Sequence, residues 1–335
     1  MQNTKVILDR TKLIKNLKSL NTPNVCAMVK ANAYGLGVKN VCTTLLGKVK
    51  YFGVANLSEA LTIREFDKIT PVLIVGICSD FNSAISNNIE LTIESLEMLL
   101  RLENYIKKQN NKIKIHIKIN TGMNRLGIDE IIDFKKCLKI IQNNRNIVLQ
   151  GVFTHFATIE NDNIFLNKQI NTFKKFCKTI PPIFNPIIHI GGGAFAKKVD
   201  MKDHPEIMVR AGMELYKNVV KIESRIIKIR SIKKGERVGY SNGFIAEKDC
   251  KIAIIQLGYA DGINRRLSNC GQVKVKNHLC KIVGNICMDM FFVDITNIDA
   301  EVGERIDVFW DEDKWAKTLD TIPYEILTNL KVRKN

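Results

Sequence analysis

"VCAMVKANAYGLG", residues 25–37, is a short apolar run that ends on Lys30 and is followed directly by small residues and glycines. A run of this length followed by a turn is typical of a buried strand and its carboxyl end. Seven further runs of this kind precede residue 211, and amphipathic helix patterns lie between them. The seven runs cover residues 51–56, 71–76, 89–93, 113–120, 149–155, 187–191 and 206–210.

Regular alternation of strand and helix patterns indicates a parallel α/β fold. Eight strands in about 210 residues match the strand count and length of a (β/α)8 TIM-type barrel. A doubly wound sheet is the alternative, but no GxGxxG motif follows the first strand. After residue 218 the helix patterns become rare and strands with turns take over. We therefore predict a barrel domain over residues 1–218 and a mostly-β domain over 219–335, with the first few residues able to pair with the latter.

The composition excludes several classes of protein. The chain has 335 residues, nine cysteines and a formal net charge of +17. No apolar run approaches the roughly 20 residues that span a bilayer, and no signal-peptide pattern is present, so we expect a cytoplasmic protein without a membrane segment. Cysteines without a CxxC pair fit a reducing compartment and argue against a structural zinc site. The basic residues are dispersed, which favours a solvated lysine-rich surface over a nucleic-acid site.

Polar residues gather where the predicted barrel strands end, which is where barrel enzymes carry their chemistry. The first strand ends on Lys30, the fifth on Lys118 and Asn120, the sixth on His155 and the eighth on Arg210. One or two polar strand ends would arise by chance. The whole set predicts a site at the mouth of the barrel.

Glycine turns follow the seventh and eighth strands, in "HIGGG" (189–193) and "RAGM" (210–213). Barrels often bind a phosphate at this position through backbone N–H groups, which glycine allows an anion to approach closely. Turn formation alone would also explain these glycines, and we interpret His189 as structural. An amine at Lys30, a phosphate turn and a group for a ring nitrogen, Arg210, together indicate pyridoxal phosphate.

The fifth strand alternates strictly between isoleucine and polar residues over 112–120. A barrel would place the isoleucines against the helices and the basic residues inside, where an unpaired charge is costly. Lys118 therefore needs a carboxylate neighbour, a solvated cavity or a modification that removes its charge. Arg125, on the following loop, has the planar fork that suits a carboxylate.

These residues resemble the alanine racemase family, fold-type III pyridoxal phosphate enzymes with a barrel and a β domain. "VKANAYGLG" (29–37) is similar to the cofactor-lysine signature of that family. Seven further motifs follow in the family's order, and the last four lie in the second domain, which barrel-only relatives lack. They are "HIKINTGMNRLG", "GVFTHFAT", "MVRAGMELY", "GERVGYSNGF", "LGYADGINRRLSN", "GNICMDM" and "TIPYEIL".

The resemblance implies racemisation of alanine by two bases on opposite faces of Cα, which would supply D-alanine for peptidoglycan. Lys30 would hold the cofactor and act as one base. Tyr259 of the partner subunit would be the other base, which implies a homodimer with shared sites. Arg210 would pair with the pyridine nitrogen and leave it largely unprotonated, because arginine keeps its proton. His155 would tune Tyr259 and Arg210, and Arg125 would orient the substrate carboxylate.

Further roles follow from the same resemblance. The backbone N–H of Met288 would bind the substrate carboxylate. Lys118 matches a lysine that is often carbamylated in the family, and a carbamate would pair with Arg125. The implied phosphate ligands are the hydroxyl groups of Tyr34 and Tyr324 and the N–H groups of Gly193, Gly212 and Met213.

The chain departs from the family pattern at a few positions, namely Leu36, Asn120, Gly192–Gly193 and Lys217. Gly192–Gly193 stands where Asn-Ser is usual, so a serine hydroxyl for the phosphate is missing. Two alternatives stay open: a serine or broad-specificity racemase of the same fold, and a barrel that binds pyridoxal phosphate without turnover. Tyr259 and the second domain argue against the binding protein.

Overall fold

A computed structural model describes residues 4–107, 111–157, 163–192, 206–309 and 311–330. The chain divides into two compact units. We call Ile14–Ala33 with Gly37–Leu215 the barrel unit, and Met1–Leu13, Tyr34–Leu36 and Tyr216–Asn335 the β unit. The first described elements are strand β1 (Lys5–Leu8) and helix α1 (Arg10–Ser19).

The barrel unit contains a closed ring of eight parallel strands, which confirms the predicted (β/α)8 TIM-type barrel. The second strand of the chain pairs with both the third and the ninth, so the ring has no open edge. The strands are β2 Val25–Met28, β3 Tyr51–Val54, β4 Val72–Ile74, β5 Ile89–Ile93, β6 Ile113–Ile119, β7 Ile147–Thr154, β8 Ile187–Gly191 and β9 Met208–Ala211.

Helices follow most of these strands and cover the ring. In the helix Ile131–Gln142 the buried residues Phe134, Cys137, Leu138 and Ile141 recur at helical spacing, which explains how one apolar stripe packs against the strands. The helices are α2 Val38–Leu45, α3 Leu57–Arg64, α4 Phe81–Ser86, α5 Leu96–Ile106, α6 Ile131–Gln142, α7 Asn163–Cys177 and the short α8 Met213–Tyr216.

The β unit is built mainly of antiparallel strands. Its elements after β1 are β10 Val220–Ile232, β11 Arg237–Val238, β12 Phe244–Ile245, β13 Cys250–Ile255, β14 Gln272–Val275, β15 His278–Val283, β16 Phe291–Asp294, β17 Arg305–Phe309, α9 Glu312–Leu319 and α10 Pro323–Asn329. The main sheet has the order β1-β10-β13-β16-β15-β14-β17, and β17 also pairs with β10. The first strand of the chain belongs to this unit, because Lys5 pairs with Glu223 in β10.

Within the described ranges, none of the helices has both the length and the apolar content that crossing a bilayer requires.

Candidate active site

The mouth of the barrel, at the carboxyl ends of its strands, brings together the basic residues that the sequence singles out. Lys30 follows β2, Lys118 lies near the end of β6, Arg125 is on the next loop, His155 follows β7 and Arg210 lies in β9. Lys118 and Arg210 are buried, whereas Arg125 is exposed. The predicted clustering of these side chains is therefore present in the structure.

The basic groups at the mouth lower one another's pKa values. The pKa of Lys118 falls to about 8, chiefly because the side chain is buried and also because Arg125 and Arg210 are near. Burial and the charge of Arg125 lower the pKa of Lys30, against a raising influence from Glu59. Burial and Arg210 lower the pKa of His155 to about 3, so this imidazole is neutral at physiological pH. The mouth is a site of excess positive charge.

Few carboxylates offset this charge. In the part of the chain that the structure describes, the salt bridges involve none of Lys30, Lys118, Arg125 and Arg210. A partly desolvated cluster of cations raises the local concentration of anions and favours their binding. The geometry therefore suits a small ligand with more than one negative group.

The backbone directly after Lys30 forms one turn of left-handed helix. Residues 31–34 have φ values of 53° to 56°, a conformation that costs an L-residue about 1–2 kcal/mol. One support is the N–H of Ala33, which donates to the carbonyl of Val29 at 2.8 Å. Such strain persists only where surrounding contacts hold it, and it concentrates at functional sites. The strained turn thus marks Lys30 independently of its charge.

A chain of buried hydrogen bonds leads from Arg210 into the barrel interior, and we call it the Arg210–Glu90 chain. Nη1 of Arg210 lies 3.0 Å from Nδ1 of His189. Nε2 of His189 lies 2.9 Å from Nδ1 of His116, and Nε2 of His116 lies 2.7 Å from Oε2 of Glu90. All four side chains are buried.

The direction of every proton in the Arg210–Glu90 chain follows from arginine, which has only donors. Nδ1 of His189 must accept from Arg210, so the His189 proton is on Nε2 and is donated to His116. The proton of His116 is then on its own Nε2 and is donated to the Glu90 carboxylate. Burial and the Arg210 charge hold the pKa of His189 well below its ordinary value, which agrees with a neutral ring. The Arg210–Glu90 chain orients the protonated guanidinium group of Arg210 at the mouth of the barrel.

Two glycines make room for these side chains. A Cβ atom on Gly151 would lie 2.1 Å from Nδ1 of His116, and one on Gly191 would lie 2.1 Å from Nδ1 of His155. Non-bonded atoms do not approach each other this closely, so both positions require glycine. Gly191 is the last residue of β8 and provides this space, in addition to preceding the glycine turn that the sequence indicates.

The turns proposed for a phosphate are partly described. The N–H of Gly192 donates to the carbonyl of Arg210 at 2.9 Å, and the N–H of Gly212 donates to Oε2 of Glu214 at 3.1 Å. Met213 begins the short helix α8. Gly193 lies outside the described residues. A carboxylate therefore occupies one of the donors that the resemblance assigns to the phosphate.

The predicted site residues of the second domain lie in the β unit. Tyr259 begins a 3₁₀ turn and is 44% exposed, and its N–H donates to the carbonyl of Cys287 at 3.1 Å. Met288, which directly follows Cys287, is also exposed, so Tyr259 and Met288 share one surface of this unit. In a separate cluster, the ring of Tyr34 lies 4.7 Å from that of Tyr216 and 6.0 Å from that of Tyr324.

Sequence reasoning did not identify Glu90 as part of the site. Glu90 lies in "IELTI", between apolar neighbours, and the structure buries its carboxylate against His116. A charged residue within a short apolar strand is the signal that could have found it, because such a charge needs a buried partner. His116 and His189 connect Glu90 to Arg210 through hydrogen bonds.

The fold and the site are those of a barrel enzyme. An amine lies among cations at the mouth of a (β/α)8 barrel, and an antiparallel β unit follows in the chain. Residues 5–218 match the family model "Alanine racemase, N-terminal domain", and residues 219–335 match "Alanine racemase, C-terminal domain". The chain belongs to the alanine racemase family, as the sequence motifs predict.

Individual relatives agree with the family models. The alanine racemase of Borreliella burgdorferi strain ZS7 is 32% identical over 343 residues, which cover 95% of this chain and 91% of that protein. An alanine racemase structure from Clostridium difficile 630 has a TM-score of 0.88 at 29% identity and covers 98% of this chain and 94% of its own. A Bartonella henselae alanine racemase with covalently bound pyridoxal phosphate has a TM-score of 0.87 at 27% identity and covers 98% of each chain.

Proposed function

We propose that this protein is a pyridoxal phosphate-dependent alanine racemase that interconverts L- and D-alanine and supplies D-alanine for peptidoglycan. The observation that carries the proposal is the amine of Lys30 at a cationic barrel mouth. The lowered pKa of Lys30 leaves more of its amine neutral, and only the neutral amine is nucleophilic. All nine cysteines are free, which supports a reducing compartment such as the cytoplasm.

The residues at the mouth fit pyridoxal phosphate. Lys30 offers the amine for covalent attachment, Arg210 offers a protonated donor to the ring nitrogen, and the surrounding cations balance the phosphate. When bound, the cofactor withdraws electrons from the substrate Cα and so acidifies its proton. Five groups are proposed to hold the phosphate: the N–H groups of Gly193, Gly212 and Met213, and the hydroxyl groups of Tyr34 and Tyr324.

Two bases are needed because racemisation removes a proton from one face of Cα and returns one to the other. We assign these roles to Nζ of Lys30 and to the phenolic oxygen of Tyr259 of the partner subunit. The exposure of Tyr259 supports this assignment, since its hydroxyl is available to a second copy of the chain. The proposed enzyme is therefore a homodimer with shared sites.

The remaining roles concern the substrate carboxylate and the charge balance. Arg125 and the N–H of Met288 bind the carboxylate in this proposal. Lys118 becomes carbamylated, which its pKa of about 8 supports because only a neutral amine reacts with carbon dioxide. The carbamate then offsets Arg125. His155 is neutral and tunes Tyr259 and Arg210 through hydrogen bonding.

The substrate is tested with single enantiomers of alanine, serine and lysine, followed by chiral chromatography. We expect alanine to racemise with the highest kcat/KM. Racemisation of serine with alanine left optically pure would identify the alternative racemase. Retention of pyridoxal phosphate without turnover of any amino acid would identify the non-catalytic binding protein.

The second base is tested by Tyr259→Phe, which should lower kcat by about 10²- to 10⁴-fold. Tyr105→Phe is the matched control, because it removes a hydroxyl from a helix on the outside of the barrel, where Tyr105 contacts Asn82. Equal activity of both variants would contradict the assignment of Tyr259.

Shared sites are tested by mixing two inactive variants, Lys30→Ala and Tyr259→Phe. Random pairing makes half of the dimers mixed, and each mixed dimer has one complete site, so activity should return to about a quarter of the unaltered level. A site built from one chain alone would give no recovery. Full activity of a monomer in sedimentation would also contradict the shared site.

A further inference from the structure

The carboxylate of Glu59 connects the ends of two neighbouring barrel strands. Its Oε1 accepts the backbone N–H of Ala31 at 2.7 Å, and its Oε2 accepts the backbone N–H of Ala55 at 2.8 Å. Ala31 directly follows Lys30, shortly after the end of β2, and Ala55 directly follows β3. The two oxygens of one side chain thus accept backbone N–H groups from the segments that follow two different strands.

Local sequence fixes where this carboxylate lies. Asn56 caps helix α3, and its side-chain oxygen accepts the N–H of Glu59 at 3.1 Å, which places Glu59 in the first helical turn. A glutamate at this position commonly reaches back to the backbone N–H of the capping residue. Glu59 instead reaches the residue before the cap and, with its other oxygen, the turn after Lys30. This departure indicates a task other than helix capping.

The contact holds the strained part of the mouth. Ala31 is the first residue of the left-handed turn, and its N–H is the group that Glu59 binds. Hydrogen bonds from a backbone N–H to a carboxylate are shorter and stronger than neutral ones. Strain of this kind needs contacts that over-determine it. Glu59 provides such a contact one residue from the amine-bearing side chain.

The charge of Glu59 acts on Lys30 as well. It raises the pKa of Lys30, whereas burial, Arg125 and Arg210 all lower it. Glu59 thus has two separable effects on the same residue: one on its backbone position and one on its protonation.

We propose that Glu59 is a positioning residue for Lys30: its carboxylate clamps the backbone after Lys30 to the end of β3 and so directs the amine into the barrel mouth. The inference rests on the proposed role of Lys30 as the residue that holds pyridoxal phosphate.

The test uses the full chain stripped of cofactor, to which pyridoxal phosphate is added. Borohydride traps the covalent link at set times, and the labelled peptide is quantified over a range of pH. Glu59→Gln keeps the size of the side chain but has one acceptor and no charge, so one of the two N–H groups loses its partner. Glu97→Gln is the matched control, because Glu97 occupies the first turn of α5 and is exposed.

Two readouts separate position from charge. Above the midpoint of the pH profile the amine is neutral in every variant, so a slower rate there reports position alone. We expect Glu59→Gln to be slower by about tenfold at this plateau and its midpoint to fall, because the negative charge that raises the pKa of Lys30 is lost. Glu97→Gln should match the unaltered protein in both. An unchanged plateau rate and midpoint in Glu59→Gln would overturn the inference.

The same experiment distinguishes failure of the proposed function. Labelling of Lys30 in the unaltered protein, together with an unaffected Glu59→Gln variant, contradicts the positioning role alone. Absence of any label on Lys30 in the unaltered protein contradicts the proposed function and this inference with it.

A second measurement uses the unaltered protein and so does not depend on whether a variant folds. In the unaltered chain labelled with ¹⁵N-alanine, the amide signals of Ala31 and Ala55 should move with one common midpoint as acid protonates Glu59. The amide of Ala253 lies in the middle of β13 in the β unit and should not share this midpoint. Different midpoints for Ala31 and Ala55, or no movement, would overturn the clamp.

Discussion

The interior and the mouth of the same barrel treat charge in opposite ways. Inside, hydrogen bonds connect Arg210 through two neutral histidines to the carboxylate of Glu90, and each donor along this chain meets an acceptor. At the mouth, Lys30 and Lys118 have lowered pKa values, and cations outnumber carboxylates. The comparison shows that the polar groups of the interior find their partners within the fold, whereas the uncompensated charge lies at the mouth, where a ligand can bring anions. Arg210 belongs to both regions.

The largest effect on stability should come from breaking the interior. Glu90→Leu leaves two donors, the Nε2–H of His116 and the hydroxyl of Tyr51, without the acceptor they share, so the free energy of unfolding should fall by about 3–5 kcal/mol. Urea unfolding followed by circular dichroism measures this loss. Glu97→Leu, on an exposed helix surface, should change stability by less than about 0.5 kcal/mol. A similar small change for Glu90→Leu would mean that the interior is not internally compensated.

Gly151→Ala should break the same chain without removing any polar group. The added Cβ would meet Nδ1 of His116 at 2.1 Å, so the His116–His189 contact must open. Overpacking of this kind costs about 1–3 kcal/mol. Because both changes break one chain, the double variant Glu90→Leu/Gly151→Ala should lose less stability than the sum of the single variants. Strict additivity in urea unfolding would argue against a connected chain.

Removal of a charged group from the mouth should change the free energy of unfolding in the opposite direction. Lys118→Met removes a buried cation and should leave stability unchanged or raise it by up to about 1 kcal/mol at neutral pH in buffer free of bicarbonate. In the unaltered protein, the unfolded chain binds a proton at Lys118 up to about pH 10.5 while the folded chain loses it near pH 8. Stability should therefore rise from pH 8 to pH 10.5. Thermal midpoints should show this rise, and Lys118→Met should reduce it, whereas Lys112→Met should not.

The smallest effect concerns the turn at β9. Glu214 accepts the N–H of Gly212, the donor proposed for the phosphate. Glu214→Gln removes a competing negative charge, so the Kd for pyridoxal phosphate should fall by roughly two- to fivefold. Equilibrium dialysis of the cofactor-stripped chain measures it. Asp133→Asn makes the same change in net charge on an outer helix and controls for long-range effects. A weaker affinity of Glu214→Gln would show that Glu214 supports the phosphate site.

The fold was predictable because each strand carries its own local signal. The run that ends on Lys30 and the seven that follow are short, apolar and bounded by turns, and parallel strands place their carboxyl ends together. The sequence therefore predicts, without any knowledge of side-chain contacts, that one end of the barrel carries Lys30, Lys118, His155 and Arg210. The motifs then identified the family.

Other parts depended on register, which no local pattern contains. Glu90 and His116 are 26 residues apart and meet because β5 pairs with β6 such that Thr92 lies beside His116. The need for glycine at 151 arises only once two histidines converge on it. The left-handed turn after Lys30 is visible in sequence only as small residues, and the clamp by Glu59 looks like an ordinary first-turn glutamate.

The pairing of β1 with β10 has a consequence for how the chain is made. The strand β1, which contains Lys5, is synthesised first among the described strands. Glu223, the partner of Lys5, emerges from the ribosome roughly two hundred residues later. During that time the earliest strand has no sheet to join, although the barrel strands up to β9 are already present. A fragment beginning at residue 219 would have the reverse problem, because it would expose the edge of β10 that β1 normally covers, and exposed strand edges promote aggregation. Fusions and truncations at the amino terminus should therefore affect the solubility of the carboxyl-terminal half of the sequence.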